Sequence, residues 1–442
     1  CCAASRSIAL RPYFVFYQKT RPSFISSVLV LFYIDFPPCY HLRMNSPHAL
    51  YFHIPFCVHR CAYCDFNTYA GQDALIPAYV DALIREIELV GQGAREKVHA
   101  STIFFGGGTP SLLSVPQFSS IFDAICQNFD LHPDAEISLE ANPGTLTRDY
   151  LQGLRDVGFY RLSLGVQSAH PDELQMLERI HSYGDVVSAA LSARKTGFEN
   201  LSFDLIFGLP EQTLDRWQAT LKLIVGLRPE HLSLYALTLE HGTPFGRWAE
   251  RGLLPLPDPD LAADMYEWAS EYLAGEGFEQ YEISNWKKPK QECQHNLQYW
   301  RNLPYLGFGA GAHGYADRMR YANVLRIQTY IDRLVKKDAS ASFPFSPAAV
   351  SKQIVSDEQA MQEHMMMGLR LTHEGVARET FRTRYGHDVG DVFVSEIEEL
   401  MKYNLLEWGK IKTSEVSKTS EVLRLTKQAY LLGNQVFRRF VP

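Results

Sequence analysis

The chain has 442 residues, of which 46% are hydrophobic and 21% charged, and its formal net charge is −7. This length corresponds to two or three domains of ordinary globular composition. The negative charge counts against nucleic acid as a main partner, because phosphate binding needs a basic face. Eight cysteines in so long a chain do not indicate a disulfide scaffold.

The first 43 residues stand apart from the sequence that follows. Their apolar residues show no strand or helix periodicity that continues into the rest of the chain. The apolar run at residues 24–34 is shorter than the roughly 20 residues that span a bilayer. A different pattern begins at Met44. We therefore expect Met44 to be the natural start and residues 1–43 to be an upstream or disordered extension.

Residues 44–250 are predicted to form an α/β core in which strands alternate with helices. The pattern predicts strands at residues 49–54, 102–105, 136–140, 161–165, 201–207 and 231–237. It predicts helices at residues 75–90, 115–128, 147–157, 184–196 and 214–227, and Thr147 is expected to cap the third of them. This alternation indicates a parallel sheet of right-handed βα units, and such barrels carry their chemistry on the loops after the strands.

Two further segments follow this core. Residues 251–350 are a mixed, aromatic-rich segment that we expect to complete the core. Residues 351–442 are predicted to form a C-terminal helical, winged-helix-like domain that closes with a β-hairpin and a last helix. The repeated Thr-Ser-Glu-Val at residues 413–416 and 419–422 is interpreted as the hairpin loop, since two copies are too few for a repeat architecture.

Three cysteines follow the first predicted strand, as Cys57-x-x-x-Cys61-x-x-Cys64. Cysteine thiolates hold iron–sulfur clusters, and these short spacings let one loop wrap a 4Fe–4S cube. Three ligands for four irons leave one iron open, which is typical of a reactive site. The alternative is a structural zinc site completed by His53 or His59, although such sites usually draw paired ligands from two loops. Clustered thiols need a reducing compartment, so we expect the cytoplasm.

The cysteine motif resembles that of the radical S-adenosylmethionine (SAM) superfamily. In that superfamily SAM chelates the fourth iron, and electron transfer from the cluster cleaves SAM to a 5′-deoxyadenosyl radical. The triplet Gly106-Gly107-Gly108 ends the second predicted strand, where glycines let backbone N–H groups approach a ligand. By itself the triplet would indicate a turn, but at this position it is similar to the superfamily's loop for the SAM amino group. The resemblance implies a partial (β/α)6 barrel.

Over residues 48 to about 435 the chain is similar to the branch that contains oxygen-independent coproporphyrinogen III dehydrogenase and the HemW-type haem chaperones. The strings that carry this resemblance are His53-Ile-Pro-Phe-Cys57, Gly106-Gly-Gly-Thr-Pro110, Leu139-Glu-Ala-Asn-Pro-Gly144, Leu164-Gly-Val-Gln-Ser168 and Asp204-Leu-Ile-Phe-Gly-Leu-Pro210. The resemblance implies that the residues lining the cluster-bound SAM are Tyr51, Gly107 and Glu140. In the dehydrogenase a further set of residues contacts a second SAM. The resemblance implies that the matching residues here are Tyr63, Gly108, Thr109, Gln167, Arg179 and Asp204.

Three features favour the chaperone over the dehydrogenase. The dehydrogenase motif has a fourth cysteine two residues after the third, and here that position is Phe66. The dehydrogenase also has an N-terminal extension that residues 1–43 do not resemble. The string His295-Asn296-Leu297-Gln298-Tyr299-Trp300 resembles the HNxxYW signature of the haem chaperones.

This string implies a haem site formed by His295, Asn296, Tyr299 and Trp300, because histidine is a usual axial ligand of haem iron. Its residues alone would indicate a buried histidine among core aromatics. Other candidates for the haem ligand are Cys293, His313, His364, His373 and His387.

The resemblance therefore implies a haem chaperone that carries a 4Fe–4S cluster, SAM and haem. Its expected partners are respiratory haem apoproteins, which it would meet by peripheral contact with a membrane, and an electron donor protein. The sequence does not decide whether the protein forms a homodimer or whether radical chemistry acts on the haem. The alternative is oxidative decarboxylation of coproporphyrinogen III to protoporphyrinogen IX by a radical SAM dehydrogenase. A radical SAM enzyme for an unrelated substrate is a third alternative, since the barrel motifs do not define the substrate.

Overall fold

The computed structural model describes residues 47–336, 340–412 and 419–441, so the extension predicted at residues 1–43 and the start predicted at Met44 lie outside it. The strands up to residue 240 are β1 (His48–Ile54), β2 (Phe56–Cys57), β3 (Tyr69–Ala70), β4 (His99–Gly107), β5 (Asp130–Ala141), β6 (Arg161–Gln167), β7 (Asn200–Phe207) and β8 (His231–Ala236). The helices of the same part are α1 (Ile76–Gly93), α2 (Val115–Asn128), α3 (Arg148–Val157), α4 (Pro171–Met176), α5 (Tyr183–Lys195) and α6 (Leu214–Val225).

The strands β1 and β4 to β8 run parallel, side by side and in chain order. Capping side chains set where the intervening helices begin, since they satisfy amides that a helix leaves unpaired. The Ser114 hydroxyl accepts from the amide of Gln117, and the Thr147 hydroxyl accepts from the amide of Tyr150 at 3.2 Å. The prediction of six parallel strands alternating with helices, with Thr147 as a cap, is confirmed.

Alternate side chains of the parallel strands lie on opposite faces of the sheet. Apolar side chains pack under the helices, where the Phe52 ring stacks on Phe105 at 4.8 Å and on Phe308 at 5.0 Å between centroids. Polar side chains occupy the concave face, where the Ser163 hydroxyl donates to the Asp204 carboxylate at 3.1 Å. The strands thus place the predicted cofactor residues inside a partial barrel.

The middle part of the chain extends this sheet at both edges. Its elements are α7 (Pro244–Glu250), α8 (Pro259–Gly275), β9 (Glu279–Glu282), β10 (Asn285–Lys287), α9 (Gln294–Trp300), β11 (Tyr305–Phe308), β12 (His313–Ala316), β13 (Met319–Asn323), α10 (Ile327–Leu334) and β14 (Ala349–Ile354). The strand order is β14-β13-β12-β11-β1-β4-β5-β6-β7-β8-β10-β9. Strand β14 crosses the boundary expected between residues 350 and 351 and pairs with β13, so the C-terminal unit begins after Ile354.

The C-terminal unit is helical, with a small sheet and a hydrophobic core of its own. Its elements are α11 (Asp357–Gly368), β15 (Val376–Ala377), α12 (Arg378–Tyr385), α13 (Val389–Val392), α14 (Val394–Lys402), β16 (Leu406–Lys412), β17 (Thr419–Leu425) and α15 (Gly433–Phe437). The hairpin interpretation of the repeated tetrapeptide is wrong for its second copy, residues 419–422, which pair with β16 instead of forming the loop. The first copy lies outside the described residues.

The C-terminal unit is tied to the barrel by two ion pairs, one of them buried. The Arg370 guanidinium lies 3.2 Å from the Glu282 carboxylate of β9, and both side chains are shielded from solvent. The Arg301 guanidinium pairs with Glu374 at 2.8 Å nearby. Across the residues that the structure describes, no helix is both long and apolar enough to cross a membrane.

Candidate cofactor site at the mouth of the barrel

The three cysteines share one loop at the carboxyl end of β1. Cys57 ends β2 and is buried, whereas Cys61 and Cys64 lie in the following loop and are partly exposed. The amide of Cys64 donates to the carbonyl oxygen of Cys61 at 3.1 Å, which forms a tight turn. All three thiols are free. One short segment, the cluster loop (residues 57–67), therefore presents three sulfur ligands at the edge of the barrel where parallel strands end.

Each of these sulfurs has a polar neighbour. The Thr109 hydroxyl donates to Sγ of Cys57 at 3.7 Å, and the Arg179 guanidinium donates to Sγ of Cys61 at 3.5 Å. The Thr68 hydroxyl lies 3.9 Å from Sγ of Cys64. Burial raises the pKa of Cys57, and it raises the pKa of Cys64 to about 11. Iron binding needs thiolates, which burial disfavours. A bound metal and these hydrogen-bond donors both stabilise the thiolate form and so oppose the effect of burial. The donor set fits a 4Fe–4S cluster.

The histidines proposed to complete a zinc site are engaged elsewhere. Both ring nitrogens of His53 have partners at 3.0 Å, the Tyr51 hydroxyl and the carbonyl oxygen of Asn67. Nε2 of His59 lies 2.9 Å from the Glu178 carboxylate. Within the described ranges no three His, Cys, Asp or Glu side chains are close enough to hold one metal ion. Both histidines therefore already have partners, which disfavours a zinc site completed by either of them.

The glycine triplet packs directly beneath the cluster loop. Gly107 has φ +109°, and a Cβ atom there would lie 2.4 Å from the His53 ring. The amide of Gly107 donates to Glu140, that of Gly108 to the carbonyl oxygen of Ile54, and that of Thr109 to the carbonyl oxygen of Phe56. The expectation that these amides face a ligand is therefore not met, because they are used within the protein. Instead the triplet holds the Glu140 carboxylate, an acceptor suited to a ligand's amino group.

Two half-buried carboxylates, Glu140 and Asp204, face the interior from neighbouring parts of the sheet. Burial, together with the charge of Asp204, raises the pKa of Glu140 to about 7. Burial also raises the pKa of Asp204, against the opposing effects of Ser233, Arg161 and other polar neighbours. Like charges in a low-dielectric interior repel, and a cation between them relieves both groups. The pair suits a positively charged ligand such as the sulfonium and amino groups of SAM.

Arg179 and Gln167 converge over Gly165 at the end of β6. The Arg179 guanidinium donates to the carbonyl oxygen of Gly165 at 2.8 Å. A Cβ atom at Gly165 would lie 3.1 Å from the amide nitrogen of Gln167 and 3.2 Å from Arg179. Gln167 itself adopts φ +68°, a conformation rare for residues other than glycine. Tyr63 packs against Phe245, with ring centroids 6.4 Å apart. Of the predicted second-SAM residues, Thr109 and Arg179 therefore contact cysteines of the cluster loop, and Gln167 lies beside Arg179.

The structure places the HNxxYW string deep inside the fold, on α9. His295 is 1% exposed, with Nδ1 2.8 Å from the Thr102 hydroxyl and Nε2 2.8 Å from the Tyr299 hydroxyl. Its ring stacks on Phe104 at 5.0 Å, and burial lowers its pKa to about 3. The ring also lies near Tyr51, a residue predicted to line SAM, with ring centroids 6.3 Å apart. His295 is therefore buried among aromatic side chains, and binding haem iron would break one of its two hydrogen bonds. Its role as a haem ligand stays a prediction.

The other residues of the string also take part in packing. The Tyr299 ring meets Tyr305 edge-on at 4.7 Å, and Trp300 lies under the Arg370 guanidinium at 4.5 Å. Asn296 is half-buried. Of the remaining candidate ligands, Cys293 and His364 are buried, His313 is half-buried, and His373 and His387 are exposed.

Sequence reasoning missed Glu136, which fixes the start of α9. Its carboxylate is buried and accepts from the amide of Gln294 at 2.7 Å and from that of His295 at 3.0 Å. The Cys293 thiol donates to it at 3.4 Å. The available signal was a carboxylate inside a predicted buried strand, since an acidic residue is rarely buried without donors.

Comparison with known proteins agrees with this geometry. Residues 51–224 match the family model of the radical SAM superfamily. The chain is 40% identical over 397 residues to the haem chaperone HemW of Bacillus subtilis (strain 168), an alignment that covers 89% of this chain and 99% of that protein. It is 34% identical over 398 residues to the haem chaperone HemW of Lactococcus lactis subsp. lactis (strain IL1403), covering 90% and 98% respectively.

A solved structure shares the fold. Coproporphyrinogen III oxidase (HemN) from Escherichia coli superimposes with a TM-score of 0.73 over 89% of this chain and 90% of that chain. The two sequences are 23% identical. This likeness shows a common architecture of barrel and C-terminal unit.

Proposed function

The chain belongs to the HemW family within the radical SAM superfamily, and from this membership we propose that it is a haem chaperone that delivers haem to respiratory apoproteins. The observation that carries the proposal is the end-to-end match to HemW of Bacillus subtilis, 40% identical over 99% of that protein. A match of this length includes the barrel and the C-terminal unit, so it supports a shared role beyond the superfamily's common core.

Membership of the superfamily implies a 4Fe–4S cluster and SAM. We assign the cluster to Cys57, Cys61 and Cys64. When bound, the two groups supply reductive and radical chemistry. We assign the residues that line SAM at the cluster to Tyr51, Gly107 and Glu140, and those that surround a second SAM to Tyr63, Gly108, Thr109, Gln167, Arg179 and Asp204. The carboxylates of this set attract cationic groups, the Arg179 guanidinium attracts a carboxylate, and the buried walls exclude water.

The dehydrogenase remains the competing function. The likeness to HemN is supported by fold alone at 23% identity. Phe66 stands where the dehydrogenase motif has its fourth cysteine, and its side chain is 47% exposed on the cluster loop. A change from a thiol to an exposed aromatic ring removes a nucleophilic, redox-active group from beside the cluster. This position favours the chaperone.

Partners and setting follow from the same proposal. The haem acceptors are respiratory apoproteins met at a membrane surface, and an electron donor protein reduces the cluster. The net charge of −7 argues against nucleic acid as a partner. Free thiols clustered for iron binding need a reducing compartment, so we place the protein in the cytoplasm. Assembly as a homodimer is compatible with this role.

Anaerobic reconstitution of the full chain with iron and sulfide tests the proposal. The reconstituted protein is titrated with haem, and in a separate reaction it receives coproporphyrinogen III, SAM and a reductant. Stable haem binding, transfer of haem to a respiratory apoprotein and no porphyrinogen turnover are expected. Turnover to protoporphyrinogen IX, or failure to bind haem, contradicts the chaperone and supports the dehydrogenase.

A further inference from the structure

Arg161, at the start of β6, is a buried arginine that has no hydrogen-bond partner in the part of the chain that the structure describes. It is 2% exposed, and its Nε is shielded from solvent without an acceptor. No carboxylate of the described residues forms a salt bridge with it. An arginine stays protonated in a protein, and a buried charge without partners is costly. More distant groups must therefore stabilise this cation.

The strand register places Arg161 on the interior face of the barrel, below the two carboxylates that were assigned to SAM. Arg161 lies opposite Ser138 of β5, and Ser163, the next residue of β6 on the same face, lies opposite Glu140. The Ser163 hydroxyl in turn donates to Asp204. Alternate residues of a strand share a face, so Arg161 lies two residues, about 7 Å along the strand, below the level of Glu140.

The charge of Arg161 acts on both carboxylates. Burial and the charge of Asp204 raise the pKa of Glu140, whereas the Gly107 amide and Arg161 oppose that rise. Burial raises the pKa of Asp204, and the Ser233 hydroxyl and Arg161 are the first two groups that oppose it. Charges in a low-dielectric interior interact over several ångströms without contact. One cation therefore favours the ionised form of both carboxylates.

The other titratable groups near this pair do not replace that charge. Burial lowers the pKa of His53 to about 4 and that of His295 to about 3, so both rings are neutral at neutral pH. Burial also raises the pKa of Tyr299 well above its ordinary value, so its hydroxyl is neutral too. Arg179 is a second cation near Asp204, but it donates its hydrogen bonds to the cluster loop and to β6.

A purely structural role would pair Arg161 with Glu136 at the floor of the barrel. Burial opposes the charged form of Arg161, but the charges around it raise its pKa, and those of Cys293, Glu136, Tyr281 and Asp204 contribute in that order. The Glu136 carboxylate already accepts from two amides of α9 and from a thiol. The two roles differ in one respect: only a role toward Glu140 and Asp204 makes the pH dependence of SAM binding sensitive to Arg161.

We propose that Arg161 is a positioning residue for SAM, whose buried charge acts on Glu140 and Asp204 and sets the pH range in which they take up a cationic ligand. It does not touch the ligand, and it acts through the two carboxylates. The inference rests on the proposed function, because it takes the assignment of SAM to this pair as its premise. Without the guanidinium, two neighbouring carboxylates would share one interior, and one of them would keep its proton to higher pH.

The test is equilibrium binding of SAM to the anaerobically reconstituted full chain between pH 6 and pH 9. Arg161→Met removes the charge and keeps a long side chain. We expect the pH midpoint of SAM binding to rise by about one unit, with affinity about fivefold weaker at pH 7. At pH 9 both carboxylates are ionised, so the variant should bind SAM at least as tightly as the unaltered protein. The ratio of the two affinities at each pH cancels the titration of SAM itself.

Arg370→Met is the matched control. Arg370 is also buried, but it lies at the joint with the C-terminal unit, where it pairs with Glu282. Its loss is expected to lower the free energy of unfolding and to leave the pH midpoint of SAM binding unchanged. Arg161→Lys keeps a charge at the position of interest and should keep the midpoint near that of the unaltered protein. Iron and sulfide content are measured in every variant.

A cluster-loaded Arg161→Met that binds SAM as the unaltered protein does, or equally more weakly at every pH, overturns the inference and leaves Arg161 a structural role. If Arg161→Met does not fold, Arg161→Gln takes its place as an uncharged polar variant. Failure of both to fold overturns the inference as well, because the guanidinium is then required by the fold. Absence of SAM binding by the unaltered, cluster-loaded protein contradicts the assignment of SAM in the proposed function instead.

Discussion

The Arg179 guanidinium donates a hydrogen bond from Nη1 to Sγ of Cys61 at 3.5 Å. The same group donates from Nη2 to the carbonyl oxygen of Gly165, so one side chain ties the cluster loop to the end of β6. A cation beside a thiolate ligand stabilises the more negative, reduced state of a cluster. Reduction potentials of iron–sulfur clusters depend on charge and on hydrogen bonds to the sulfurs.

We therefore expect Arg179→Gln to shift the reduction potential of the reconstituted cluster to more negative values. Potentiometric titration followed by electron paramagnetic resonance measures the shift. Arg179→Lys keeps the charge and should shift the potential less. An unchanged potential in an Arg179→Gln protein with full iron content would show that the contact does not tune the cluster.

Glu140 gives SAM binding a predicted pH dependence. Burial and Asp204 hold its pKa at about 7, so the carboxylate is neutral below that pH and ionised above it. The ionised form attracts the amino group of SAM, and we expect SAM affinity to rise as pH increases through about 7. Equilibrium binding at pH 6 and pH 8 measures this change. Glu140→Gln should bind SAM weakly at both pH values, and a pH response retained in that variant would assign it to another group.

When SAM is absent, the same carboxylate makes the folded protein less stable as pH rises, which is the opposite of its effect on SAM affinity. Its folded-state pKa of about 7 exceeds the ordinary 4.5, so the folded state binds more protons in this interval. The free energy of unfolding therefore falls as pH rises from about 4.5 to about 7, by roughly 3 kcal/mol at most. Urea unfolding of SAM-free Glu140→Gln should lack this fall.

His295→Ala is expected to destabilise the fold and to spare haem binding. The substitution removes hydrogen bonds to the Thr102 and Tyr299 hydroxyls and leaves a cavity against Phe104. We expect the free energy of unfolding to fall by about 2–5 kcal/mol. Denaturant unfolding and a haem titration under folding conditions measure the two effects. Loss of haem binding at unchanged stability would restore His295 as the ligand.

Gly107→Ala is expected to prevent cluster loading. The added Cβ atom would lie 2.4 Å from the His53 ring, and the backbone there has φ +109°. Since His53 holds Asn67 at the end of the cluster loop, its displacement should loosen that loop. Iron content after reconstitution measures the effect. Gly71→Ala is the control, because Gly71 has φ +70° but open space around it, so only backbone strain of about 1–2 kcal/mol is expected.

Local patterns in the chain determined much of the fold. The alternation of strands and helices up to residue 240, and Thr147 as a helix cap, depend on periodicity and on neighbours a few residues apart. The cluster ligands belong to the same class, because Cys57, Cys61 and Cys64 lie within one loop. Their spacing was enough to predict the site, and the family was recognisable from motifs on the same strand ends.

Contacts between distant residues decided the rest. Thr102 and His295 lie 193 positions apart in the chain, and His59 and Glu178 lie 119 apart. A single histidine in sequence has the same chemistry whether it is enclosed by core aromatics or placed on an open cleft. Packing alone determines which ring nitrogens are already paired and how much water reaches them, and these two conditions decide which histidine can bind a metal. The sequence by itself therefore determined which three cysteines share one loop, and only the tertiary structure separated the buried His295 from the accessible His59.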